Sequence, residues 1–347
     1  MNKTIIPVFR FSAMGDVAMT VPVLKTLLET HSTLQIQMIS RPFFKPLFKN
    51  IPRLFFTGAD VDKQFKGIYG LYKLYKQLNS TDFDSVADLH DVLRTKILRN
   101  FFRLSGKKVY IINKGRHEKK ELIRKPLSQT RPLPSTHQRY ADVFRTMGYT
   151  LELKNFKPVE LNPGKQTERF LRIFKTTKII GIAPLAKHPG KQYPLARTGE
   201  VIKQILIKNN NSAIFLFGAP GEKELLETLI ADKERVFNLA GMFSFEQELE
   251  IISQLDLMLA PDSGNGHLAA NYGVPVITVW GVTHPYGGFA PINQPSGMQI
   301  LPDLERFPML PCSIYGNKIC PGYEKIWDSI PPEKITEKIL DFLQNKA

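Results

Sequence analysis

Four short segments of this 347-residue chain hold residue types suited to moving a phosphorylated group. Ser12-Ala-Met-Gly-Asp16 follows an apolar run. Gly15 permits close backbone approach, and Asp16 fits either a general base or the cap of the next helix. Asp262-Ser-Gly-Asn-Gly-His267 opens a second helix, and Ser263, Gly264 and Gly266 leave backbone N–H groups accessible there. A helix N-terminus of that kind carries partial positive charge and suits a diphosphate. Asp262 and Ser263 also fit a plain N-cap, and His267 a structural histidine. Ala186-Lys187-His-Pro-Gly-Lys191 offers two lysines to a phosphate leaving group. In Phe217-Gly-Ala-Pro-Gly-Glu222 the carboxylate of Glu222 either caps its helix or contacts a nucleotide.

Other chemistries lack their residues. There is no G-x-G-x-x-G, no Walker-type loop and no G-x-S-x-G, which counts against dinucleotide-binding, triphosphatase and hydrolase readings. Cys312 and Cys320 stand eight apart without a C-x-x-C or a nearby histidine pair, so no metal is expected. The pair forms a disulfide or sits as two thiols.

The elements that must carry these segments alternate. Apolar, β-branched runs at 4–12, 34–39, 85–89 and 109–112 read as strands, with helices over 17–30, 92–104 and 137–147. Residues 113–136 are basic and polar and predict a mobile surface loop. The alternation restarts with strands at 178–183, 212–217, 257–260 and 274–279, separated by helices. This predicts an α/β chain with a first domain over 1–155, a linker over 156–177 and a second domain over 178–330.

Charge separates the halves. Residues 1–150 hold 26 Lys and Arg against 11 Asp and Glu, whereas 151–347 hold 21 of each. Residues 91–131 alone carry 13 basic and 3 acidic side chains. Such asymmetry either points the first half at a polyanion (a phosphorylated substrate, an anionic membrane or nucleic acid) or marks a solvated basic face with no specific partner. The absence of interleaved aromatic residues disfavours nucleic acid. No apolar run approaches the ~18–20 residues of a membrane span, and the first residues do not read as a signal peptide. The expected location is cytoplasmic, with peripheral contact to the anionic inner membrane surface.

Taken in order, the motifs resemble glycosyltransferase family 9, the bacterial ADP-heptose:lipopolysaccharide heptosyltransferases. The matching segments are Phe11 through Leu24, Asp88-Leu-His-Asp-Val-Leu-Arg94-Thr95, His137-Gln-Arg-Tyr140, and Gly181-Ile-Ala-Pro184 through Lys191-Gln-Tyr-Pro194. Phe217 through Glu222, Asn238-Leu-Ala-Gly241, and Asp262 through Thr283 complete the series. Leu185 to His188, Tyr193 and Val282 depart from the family pattern.

The resemblance implies a GT-B fold: two Rossmann-like domains, their parallel sheets facing a central cleft. It implies that the helix within 331–347 packs back on the first domain. The implied reaction is an inverting, metal-independent transfer needing no cofactor, from an ADP-sugar, by family default ADP-heptose, to a phosphorylated glycolipid of the lipopolysaccharide core. Asp16 would be the base and Lys191 the lysine that steadies the departing diphosphate. Asp262, Ser263, Gly264, Gly266, His267, Glu222 and Lys187 would bind the donor. Ser12, Gly15, His90, Arg94, Arg116, Lys119 and Lys120 would bind the acceptor. A nucleotide-sugar epimerase or hydrolase on the same fold, and a non-enzymatic polyanion binder, are the alternatives.

Overall fold

A computed structural model describes residues 4–230 and 232–344. The chain divides into two compact units. The first comprises residues up to Lys114 with Thr136–Val159, and the second Gly115–Ser135 with residues from Glu160 onward.

In the first unit, strands β1 (Thr4–Phe9), β2 (Leu34–Ser40), β3 (Leu54–Gly58), β4 (Ser85–Asp88) and β5 (Lys108–Ile111) form one parallel sheet in the order β3-β2-β1-β4-β5. β1 lies at its centre, with Phe9 opposite Ile39 on one side and Asp88 on the other. Because both faces of a parallel sheet are covered, Ile6, Val8 and Phe9 are fully buried, in a near-continuous apolar run. Helices α1 (Met14–Ala18), α2 (Thr20–Thr30), α3 (Gly67–Leu78) and α4 (Leu93–Leu104) alternate with these strands. Pro22 stands in the first turn of α2, where an amide proton would have no helical partner. α3 and α4 pack through Tyr72, Tyr75, Phe101 and Phe102, and Phe102 also stacks on Phe9.

Residues 113–136 are not a mobile loop. Helix α5 (Arg116–Leu122) occupies part of them, with Leu122 buried. The Leu127 and Leu133 amides donate to the Pro308 and Tyr286 carbonyls at 2.8 and 2.9 Å. These bonds tie the segment to the second unit; α6 (Thr136–Thr146) returns to the first.

In the second unit, α7 (Lys165–Leu171) lies within the expected linker and packs on α10 (Phe245–Ile252), with Thr167 donating to buried Glu250. The sheet contains β6 (Lys178–Ile182), β7 (Ser212–Leu216), β8 (Val236–Asn238), β9 (Leu257–Pro261), β10 (Val276–Val279) and β11 (Gln299–Ile300). All its pairs are parallel, in the order β11-β10-β9-β6-β7-β8. Helices α8 (Leu195–Lys208), α9 (Lys223–Glu227) and α11 (Gly264–Asn271) connect the strands. The last helix, α12 (Pro332–Gln344), packs on α8. Its stripe of Ile335, Ile339 and Leu343 joins Ile202 and Ile205 in the second unit's core.

Both sheets reverse their strand order once. In open α/β sheets such a reversal leaves a crevice beyond the carboxyl ends of the two strands concerned, and ligands bind there. In the first unit these strands are β1 and β4; in the second they are β6 and β9.

Candidate active site

Beyond β1 the chain runs through Arg10 to α1, and Asp16 falls in the first turn of that helix. Asp16 Oδ2 accepts from the Ala13 amide at 3.2 Å, as a cap would, and from Arg10 Nη2 at 2.7 Å. Among the described residues Oδ1 takes no hydrogen bond, and the side chain is one-third exposed. The carboxylate is therefore anchored by one oxygen and open at the other. Arg10 is buried, and its Nη1 donates to the Leu89 carbonyl at 2.7 Å just beyond β4. Tyr140 is fully buried on α6 and donates to the Asp16 carbonyl at 3.2 Å. Burial pushes its phenol well above the usual range.

His90 follows β4 and is buried, its Nδ1 accepting from the Phe11 amide at 3.4 Å. Desolvation, with the Arg10 charge next, lowers its pKa from 6.5 to about 3. A neutral ring is thereby held at the end of β4. The structure thus gathers Ser12, Gly15, Asp16 and His90 at the strand-order reversal of the first sheet. Arg94 lies farther along on α4 and pairs with Asp62 at 2.7 Å.

The corresponding place in the second sheet brings together two residues far apart in sequence. Lys191, in the loop after β6, meets Asp262, just past β9, at 2.8 Å. Both side chains are largely buried. Ser263 is the N-cap of α11, and its Oγ is buried with no partner among the described residues. Gly264 and Gly266 occupy the first turn, followed by buried His267. An ammonium group held in place by a buried carboxylate, beside a helix N-terminus, gives two sources of positive charge that can hold an anion and stabilise charge that grows on it.

The loop of Lys191 is shaped by backbone contact. The Gly190 amide donates to the Gly316 carbonyl at 3.0 Å, and a Cβ on Gly316, whose φ is +66°, would strike Lys191 Cγ at 2.5 Å. Gly316 lies in a loop closed by a disulfide between Cys312 and Cys320, the alternative the spacing alone left open.

Other expected donor residues stand apart in chemistry. Glu222 accepts from the Ala219 amide at 2.6 Å and serves as a cap. Lys187 is exposed. Arg116, Lys119 and Lys120, expected on the acceptor side, lie on α5 and so belong with the second unit. Among the described residues no group of three or more His, Cys, Asp or Glu is placed to hold a metal ion. No helix among them is long and apolar enough to cross a membrane.

Sequence reasoning missed Arg10, although a charged residue ending a fully apolar strand is an available signal. It also missed Tyr140 as a support for Asp16, because their contact spans 124 residues.

Residues 71–308 match glycosyltransferase family 9 (heptosyltransferase). The lipopolysaccharide core heptosyltransferase OpsX of Haemophilus influenzae is 25% identical over 293 residues, 80% of this chain and 79% of that protein. The crystal structure of a family 9 glycosyl transferase from Veillonella parvula superposes with a TM-score of 0.77 at 17% identity, covering 99% of this chain and 98% of that one. The E. coli ADP-heptose lps heptosyltransferase II gives 0.69 at 17% identity, covering 99% and 100%. The two structural likenesses establish a shared fold.

Proposed function

Since the chain belongs to glycosyltransferase family 9 and has its GT-B fold, we propose that it transfers heptose from ADP-heptose to a hydroxyl of a lipopolysaccharide core. The transfer inverts the anomeric centre and requires no metal ion. The observation that carries this reading is the Lys191–Asp262 pair beside the N-terminus of α11. The names of the relatives, a lipopolysaccharide core heptosyltransferase and an ADP-heptose enzyme, support the choice of donor and acceptor.

In the reaction the acceptor oxygen attacks the anomeric carbon and forms the new C–O bond. The bond from that carbon to the diphosphate breaks, and its electron pair leaves with ADP. Asp16, through its open Oδ1, takes the acceptor proton, with Arg10 and the Ala13 amide fixing the carboxylate. Lys191 and the first turn of α11 neutralise the charge that develops on the departing diphosphate. Asp262 positions the lysine. The basic surface of the first unit meets the phosphates of the glycolipid and the anionic membrane that carries it.

The deciding experiment incubates the purified protein with ADP-heptose and a core glycolipid lacking heptose, with and without EDTA. The acceptor should gain one heptose in mass, unaffected by chelation, and NMR of the product should show the inverted anomer. Sugar released or epimerised without acceptor would replace this reading with the nucleotide-sugar-processing one. Transfer from UDP- or GDP-sugars alone would overturn the assigned donor.

A further inference from the structure

The basic segment 115–135, expected to serve the acceptor, is built into the other substrate's unit. It leaves the first unit at Gly115, whose φ of +60° needs no Cβ, and is held along the loops that follow β10. Leu127 bonds Pro308, and Leu133 bonds Tyr286. Close packing reinforces this, since a Cβ on Gly288 would lie 2.7 Å from the Pro134 carbonyl oxygen.

This fastening places one lysine of α5 in a distinctive position. Lys119 is 7% exposed, an unusual depth for a lysine. Its Nζ lies 4.4 Å from the centre of the Phe289 ring, and Lys191 Nζ lies 5.8 Å from the same centre. Lys119 is also 5.9 Å from the ring of Tyr315, the neighbour of the Gly316 that packs on Lys191. The negative face of an aromatic ring draws in ammonium groups. Two of them sharing one ring form a cationic pair matched to a ligand with two linked phosphoryl groups. Lys120, the next residue, is exposed.

We propose that Lys119 is a donor-binding residue: with Lys191 it contacts the diphosphate of the nucleotide-sugar, and Phe289 sets the spacing of the two ammonium groups. The proposal rests on the donor-site reading above and assigns to the donor a residue that the sequence had given to the acceptor.

The test is equilibrium binding of ADP and of adenosine to the full-length protein by calorimetry, in the absence of acceptor. Lys119→Gln should weaken ADP by about tenfold or more, the effect of losing one charge-assisted hydrogen bond. Adenosine binding should stay within twofold, and Lys119→Arg should recover most of the ADP affinity. Lys120→Gln should bind ADP like the wild type. At saturating donor, the acceptor KM of Lys119→Gln should be unchanged.

Wild-type ADP binding by Lys119→Gln, with loss in Lys191→Gln, would overturn the proposal and leave the donor site standing. Wild-type binding by both would overturn the donor site as well. A raised acceptor KM with intact ADP binding would return Lys119 to the acceptor. Should the glutamine variant fail to fold, Lys119→Met, which keeps the length of the side chain and removes its charge, decides in its place. A threefold or larger change in its ADP affinity supports the contact, and an unchanged affinity overturns it.

Discussion

Arg10 bridges the ends of two adjacent strands, binding the Asp16 carboxylate at 2.7 Å and the Leu89 carbonyl at 2.7 Å. The proposed base thus takes its position from the central strand pair of the sheet as well as from the start of its own short helix. Asp16→Asn should lower kcat by about 10²–10⁴-fold, the usual worth of a general base, with ADP affinity unchanged. Arg10→Met should also lower kcat, and it should cost about 1–3 kcal/mol of stability because a buried carbonyl loses its donor. Steady-state kinetics and urea unfolding read the two effects separately. Full turnover in Asp16→Asn would remove the base assignment.

The buried histidines make stability depend on pH. His90, with a pKa lowered to about 3, stays neutral in the folded protein while the unfolded chain takes up its proton near 6.5. Its contribution is present above pH 6.5 and is lost as pH falls toward 3. Between pH 7 and pH 5 that loss amounts to about 2 kcal/mol. His284, lowered to about 4 by burial, acts with the same sign in the second unit. Urea unfolding at the two pH values should show a smaller decline in His90→Gln than in the wild type. An identical decline would contradict the burial of a neutral ring.

Closing the chain between Cys312 and Cys320 should contribute about 2–3 kcal/mol through the unfolded state. The same loop presents Gly316 to Gly190, so its effect extends to Lys191. The double variant Cys312→Ser, Cys320→Ser should lose that stability, and the donor KM should rise more than the acceptor KM. Thermal unfolding with and without a dithiol reductant gives an independent reading on the unaltered protein.

Docking of α12 on α8 gives a stability prediction. Ile339 is fully buried, and Ile339→Ala should cost about 2–5 kcal/mol. Glu337→Ala, on the exposed side of the same helix, should fall within about 0.5 kcal/mol of the wild type. Equal effects would mean that the apolar stripe of α12 does not face the core.

The parts legible in the sequence were those encoded locally. The placement of Asp16, Lys191 and the Asp262–His267 run beyond the ends of strands could be read because each comes after a short apolar run and lies among small or charged residues. β3 and α3 gave no clear signal. β3 is only half-buried, without clean alternation, and α3 holds Gly67 and Gly70, which weaken a helical pattern. Gly70 is required, since a Cβ there would meet the Phe65 backbone at 2.3 Å. The allegiance of 115–135 was illegible for a different reason. Its partners, Tyr286, Phe289 and Pro308, lie more than 150 residues downstream, and composition carries no trace of them.

That allegiance also sets a timetable for biosynthesis. Neither unit is a continuous stretch of chain. Residues 115–135 leave the ribosome well before Tyr286 and Pro308 exist, and at ~5–20 residues per second they wait on the order of ten to thirty seconds. During that interval their six basic and two acidic side chains keep the segment hydrated. A gene split at residue 159, where the second interval of the first unit ends, would strand this segment on the wrong fragment. The two halves of this chain must therefore be made together to be made whole.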